Sequence, residues 1–186
     1  PIKLFLPVQL IIKKFLIIIF SICSYLNLHA LENATEDYGI ITIMYHRFEE
    51  NKYPSTNIRM NEFKKHIKLI KENDINFVNP SNFEDELLNN KDQRKVLLTI
   101  DDGYSSFYNN AWPVLEEFKI PFILFISTRE VGKKGYMSWE EIRKIDEYDF
   151  VEIGNHSHTH DYLIDFSNDK IKNDLEESLS IFKKEL

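Results

Sequence analysis

Cysteine is almost absent from this chain of 186 residues. Its single Cys23 lies in an apolar leader, so the remainder has no disulfide framework and no thiolate chemistry. Ile22 before it is a poor match to the small residue that lipidation sites use. Glycine is scarce, and no low-complexity stretch or internal repeat stands out, which argues against linker-like and solenoid architectures. Basic residues are outnumbered, 23 Lys and Arg against 30 Asp and Glu, for a net charge of −7. Residues 1–30 hold Lys3, Lys13 and Lys14 and no acid, so the rest is more acidic still. An acidic body argues against nucleic acid as a partner, since readers of phosphate backbones need a basic face. It leaves a neutral or cationic glycan open.

What is present fits one globular domain: 43% hydrophobic and 28% charged residues. Lys13 and Lys14 precede a short apolar run, Phe15 to Leu28. A basic start and a run this short predict a secretory signal peptide, with cleavage after Ala30, or an uncleaved membrane anchor. Either places the folded part outside the cytoplasm: secreted, periplasmic or in the cell envelope. Residues 1–12, upstream of the lysine pair, read as extra, non-native sequence and stand outside the fold argument. Residues 31–186 form the folded domain.

From Tyr38 onward, short apolar runs alternate with helical patterns. IITIM (Ile40 to Met44) predicts a buried strand, FV (Phe77, Val78) a short one, and VLLTI (Val96 to Ile100) the clearest. FILFI (Phe122 to Ile126) and VEI (Val151 to Ile153) predict two more. Between them, Phe63, Ile67 and Ile70 share a helical face, with Asn61 as a candidate cap. Asn82 is a candidate cap for a small helix with Phe83 and Leu87 facing in. Phe107, Ala111, Leu115 and Phe118 form a further stripe, with Pro113 near a helix start or at a kink. Ser138 and Glu141 make a capping box ahead of Trp139, Ile142 and Ile145. A last helix carries Ile171, Leu175, Leu179 and Phe182 at helical spacing. Five alternations of strand and helix predict an α/β fold with a parallel sheet, open or closed into a barrel. In both layouts chemistry gathers at the carboxyl ends of the strands.

The residues that follow the apolar runs are therefore the candidates. His46 follows the first, Asp101 and Asp102 the third, Ser127 and Thr128 the fourth, and His156, His158 and His160 the fifth. Asp-Gly often marks a tight turn, but a helical pattern rather than a second strand follows Gly103. Two adjacent carboxylates at a buried strand end repel unless a positive charge lies between them. The His156/His160 spacing lets two imidazoles reach one ion from a loop or helical turn, with His158 a bystander or a group that supports the ligands from behind. His66, on the first helix, reads as a solvated face residue. One carboxylate and two imidazoles make a three-donor site with open positions, which suits a divalent metal, Zn²⁺ above others. The spare aspartate is then the natural proton acceptor.

These segments carry a family resemblance. TIDDGY (Thr99 to Tyr104) resembles the first motif of the polysaccharide deacetylases (NodB-like, carbohydrate esterase family 4), and IGNHSHTH (Ile153 to His160) resembles the second. PFILFIS and MSWEEI look like the family too, and YHRF (Tyr45 to Phe48) resembles the opening of its poly-N-acetylglucosamine deacetylase branch. The resemblance implies Asp101 as general base, Asp102, His156 and His160 as metal ligands, and His46 as general acid. Ile100 stands where the family has phenylalanine. It implies removal of N-acetyl groups from an amino-sugar polysaccharide, with release of acetate. An O-acetyl esterase acting on xylan through the same site, or a non-catalytic glycan-binding relative, are the alternatives. The family's later motifs have no match before Leu186. The expected fold is thus a partial distorted (β/α) barrel, truncated at the C-terminus.

Overall fold

The computed structural model describes residues 38–89 and 92–186, and the expected leader at residues 1–30 lies outside them. Tyr38–Leu186 forms one compact unit. Its elements are β1 (Ile40–Tyr45), β2 (Arg47–Phe48), β3 (Asn57–Ile58), α1 (Met60–Glu72), β4 (Asn76–Phe77) and α2 (Phe83–Leu88). There follow β5 (Lys95–Asp101), a π-helical turn (Phe107–Ala111), α3 (Trp112–Glu117), β6 (Phe122–Ile126), α4 (Trp139–Asp146), β7 (Val151–Asn155) and α5 (Asn168–Glu185). Among the described residues, no helix is long and apolar enough to cross a membrane.

The five expected strands pair as a single parallel sheet: four run in the order β1-β5-β6-β7, and β4 pairs with β5 off that path. β1 runs along all but the last residue of one edge of β5. The other edge is shared: β4 pairs with Lys95 and Val96, and β6 with Leu98 to Asp101. Its central position accounts for the burial of all seven residues of β5. Even Lys95 is buried there, its ammonium reaching the Glu86 backbone carbonyl and, at 3.6 Å, the Glu86 carboxylate. Because every pairing in this sheet is parallel, the carboxyl ends of β1, β5, β6 and β7 form one rim.

A seam of aromatic rings fills the core. Tyr45 and Phe48 meet Phe63 edge-on at 5.2 and 5.1 Å, Phe48 continues to Phe107, and Phe107 meets Phe122 at 5.5 Å. Trp112 packs on Phe122, Tyr148 and Phe150 at the far end. Edge-to-face and tilted arrangements of this kind add to simple area burial. The capping box at Ser138 forms as expected, Ser138 accepting from the Glu141 N–H while Glu141 accepts from the Ser138 N–H.

Several local expectations change. β1 buries Tyr45 and half-buries Ile43, but Ile41 and Met44 are exposed, because β5 is its only neighbour among the described strands. Asn61 does not cap α1. The helix starts at Met60, whose N–H is taken by the carboxylate of Glu49 from a distant loop. Asn82 makes no side-chain cap; Asn79 caps the preceding 3₁₀ turn by accepting from the Ser81 N–H, and Phe83 and Leu87 are exposed. Phe118 leaves its stripe because α3 ends at Glu117; it is exposed, with the Lys71 ammonium 4.2 Å above its ring. On α5 the expected stripe is only partly buried: Ile171 and Phe182 are half-buried, Phe182 edge-on to Trp139 at 5.9 Å, whereas Leu175 and Leu179 are exposed and Asp174 and Ser178 are buried.

Candidate active site

At the end of β5 the chain turns sharply. Asp102 and Gly103 both adopt left-handed backbone, with φ of 72° and 67°. The left-handed backbone favours glycine at position 103, where a side chain would also place its Cβ 2.6 Å from Ile126 Cδ1 and push that methyl aside. The turn leads into the π-helical segment and leaves Asp101 and Asp102 buried at the rim. It is thus a strand-to-helix turn that presents two carboxylates, and not a hairpin.

The rim brings together the five side chains singled out from the sequence. His160 Nε2 lies 2.9 Å and His156 Nε2 3.4 Å from Asp102 Oδ1, and His46 Nε2 lies 3.9 Å from Asp101 Oδ2. Asp102, His156 and His160 each offer one donor atom, all within 4.8 Å of one another. Donors around a tetrahedral ion at about 2.1 Å lie roughly 3.4 Å apart. Despite these close nitrogens, Asp102 Oδ1 is buried and accepts no aligned hydrogen bond, and neither does Asp101 Oδ1. A buried carboxylate oxygen left in that state is costly. Lone pairs from three residues converging on one small space is the arrangement a divalent cation satisfies, so these residues fit a metal.

The electrostatics divide the two aspartates. Burial raises the Asp101 pKa above the usual carboxylate value and the Asp102 charge adds to it, against the opposing pull of His156, His46 and His160. Burial also opposes ionisation of Asp102, but the His156 contact, the His160 charge and the Tyr104 hydroxyl outweigh it and hold the group low. His156 is raised by Asp102 in turn, against its own burial. One carboxylate is therefore firmly anionic and its neighbour holds a proton more readily, the division of labour expected of a ligand beside a base.

A family model for polysaccharide deacetylases matches residues 88–186, more than half of the chain. The chain belongs to the polysaccharide deacetylase family. Within it the likeness runs to the poly-N-acetylglucosamine branch. The poly-β-1,6-N-acetyl-D-glucosamine N-deacetylase of Staphylococcus aureus is 26% identical over 181 residues, covering 80% of this chain and 62% of that protein. The structure of IcaB from Ammonifex degensii superposes with a TM-score of 0.69 at 25% identity, covering 81% of this chain and 70% of that one. The Streptococcus pyogenes deacetylase PplD, solved with acetate, shares the fold at a TM-score of 0.70 and 21% identity, over 81% of this chain and 70% of that one. The chain spans 42% to 62% of the length of the curated relatives it matches.

In this deacetylase domain the remaining histidines stand apart from the cluster. His158 turns away: its Nδ1 pairs with Thr128 Oγ1 at 2.9 Å and its Nε2 lies 3.4 Å from Glu177. His66 is exposed as expected, yet its Nδ1 meets the Tyr45 hydroxyl at 2.9 Å, and burial pushes the Tyr45 pKa up to about 12. A cavity of about 550 Å³ opens beside His156 and His160, lined also by Asn155, Asp161 and the exposed ring of Tyr162. A smaller one of about 220 Å³ lies beside His46, lined by Ser55, Thr56 and Asn57.

Sequence reasoning missed several residues around the site. Arg47 lays its guanidinium 3.5 Å over the Tyr104 ring and 4.4 Å over Tyr53, so β2 and the loop after it wall the site beside the DDG turn. Asn155, Asp174 and Ser178 contact the histidine-bearing loop through hydrogen bonds. No periodicity marks Asp174 and Ser178, because polar residues on a helix read as its solvent face, and Asn155 ends β7 as one more polar residue of the strand end.

Proposed function

We propose that the protein is a divalent-metal-dependent hydrolase that removes N-acetyl groups from an amino-sugar polysaccharide. The substrate class is poly-N-acetylglucosamine, a chitin-like glycan or peptidoglycan. The observation that carries this reading is the buried, unsatisfied Asp102 oxygen facing two imidazole nitrogens, with a second unsatisfied carboxylate next to it. The kinship with N-deacetylases supports the substrate class. The basic start and apolar run at residues 13–28 support export of the folded part to the cell envelope or beyond.

Asp102, His156 and His160 hold the metal, with zinc the best match to one carboxylate and two imidazoles. Once bound, it supplies positive charge for the acetamide oxygen and for the attacking water. Asp101 takes a proton from the water as its oxygen bonds to the acetamide carbon; burial has already raised the basicity of this carboxylate. The backbone N–H of Tyr104 lies next to the turn and donates to the developing oxyanion. His46, across from Asp101, delivers a proton to the amine nitrogen as the C–N bond breaks. Acetate and a free amine leave.

The test is acetate release from N-acetylglucosamine oligomers and from acetylxylan, with zinc content measured in parallel. Asp101→Asn should keep its zinc and lose turnover by roughly 10²- to 10⁴-fold, whereas His156→Ala should lose the zinc. A fully active Asp101→Asn enzyme would overturn the base assignment. Release from acetylxylan alone would move the activity to O-acetyl esters.

A further inference from the structure

The loop between the two candidate imidazole ligands is held from both sides. From β6 and the residues after it, the Ile126 carbonyl accepts from the His156 N–H at 3.0 Å, and Ser127 Oγ donates to the His156 carbonyl at 2.9 Å. The N–H groups of Thr128 and Arg129 donate to the carbonyls of Ser157 and His158 at 3.2 and 3.1 Å. From α5, Asp174 takes two consecutive backbone donors, the N–H of His158 on Oδ1 at 2.8 Å and that of Thr159 on Oδ2 at 3.0 Å. One turn on, Ser178 Oγ donates to Asn155 Oδ1 at 3.0 Å, and that oxygen also accepts from the Ser157 N–H at 2.8 Å. The His160 N–H is taken by Ser157 Oγ at 3.1 Å. Every backbone N–H from His156 to His160 therefore has a protein partner, although Ser157 and His160 both sit in left-handed backbone, with φ of 68° and 57°.

Asp174 is not needed for its own helix. Ser167 caps α5, and Asp174 lies well inside it. A carboxylate at 6% exposure is a costly way to fill a helix face that an alanine or leucine could fill. Its two oxygens are spent instead on the loop. A non-glycine residue in left-handed backbone persists where the surroundings over-determine it.

We propose that Asp174 is a positioning residue for the cation site. It fixes the 156–160 loop so that both imidazoles already face Asp102 before the ion arrives, with Ser178 as its helper one turn along. This rests on the metal-site reading given above. Groups that orient ligands from behind change metal affinity by about ten- to a hundredfold when lost.

The experiment is calorimetric zinc titration of the chelator-stripped full chain, with amide exchange followed at His158 and Thr159. Asp174→Asn keeps the size of the side chain but turns a donor toward one of the two N–H groups. It should weaken zinc binding by about ten- to a hundredfold and speed exchange at those two amides, while β5 amides stay protected. Zinc affinity equal to wild type in Asp174→Asn would overturn the proposal and leave the metal site standing. If Asp174→Asn does not fold, Ser178→Ala carries the test: several-fold weaker zinc binding supports the clamp, and unchanged affinity overturns it. A wild-type chain that takes up no zinc sinks the metal site and this inference together.

Discussion

Replacing His160 by alanine should separate the cation site from the fold. The His160 side chain is about half exposed, at 48%, and its backbone N–H bond to Ser157 Oγ does not need the imidazole. Histidine already bears the left-handed backbone cost at a φ of 57°, and alanine, which also carries a Cβ, adds little to it, so the metal-free melting temperature should fall only slightly. The zinc-induced shift is the informative quantity. A cation at a hundred times its dissociation constant stabilises the native state by about 2.7 kcal/mol. For a domain of this size that is roughly 5–11 °C in Tm. Removing one of three donors should weaken the site at least about a hundredfold, which at the same zinc concentration leaves about 0.4 kcal/mol, or roughly 1–2 °C. His158→Ala is the matched control. Its ring is tied to Thr128 and Glu177 and offers nothing to the cluster, so the variant should start from a lower Tm but keep most of the zinc shift. Differential scanning fluorimetry with and without zinc reads all three proteins. A full zinc shift in His160→Ala, or its loss in His158→Ala alone, would refute the assignment of donors.

Three further outcomes are expected. The Asp102 contact raises the His156 pKa, so the stability it contributes to the metal-free protein is fully present below the ordinary imidazole value of about 6.5 and is lost as pH rises through the folded value. Melts in chelator between about pH 6 and 9 should decline in wild type and flatten in His156→Ala; equal slopes would contradict the pairing. Gly154→Ala would set its Cβ 2.4 Å from Phe125 Cδ1 and 3.1 Å from Ile123 Cγ2, so it should cost about 1–3 kcal/mol in urea unfolding. The displaced strand end should also weaken zinc binding, since His156 lies two residues on; a neutral variant would show that Phe125 swings aside freely. Ser138→Ala removes the reciprocal cap of α4 and should cost about 1 kcal/mol, seen as a Tm drop of roughly 2–4 °C with zinc affinity unchanged.

The chain itself determined the strands and the chemistry they deliver. Val96 to Ile100 is apolar but for Thr99 and Phe122 to Ile126 is apolar throughout, and in an α/β protein such near-continuous runs read as strands of a covered parallel sheet. Parallel strands put their carboxyl ends on one rim, so the residues after each run, Asp101, Asp102, His156 and His160 among them, could be gathered into a site before any coordinates. Tertiary structure alone decided which partner each polar group found. Periodicity records which side of a helix differs from the other, not what the neighbour needs, so Leu175 and Leu179 promised burial and Asp174 and Ser178 took it. The same holds for Glu49 at the start of α1 and for His158 turned toward Thr128. Those contacts join residues far apart in the chain, and a hydrogen bond is satisfied only at particular distances and angles, which no spacing along one segment encodes.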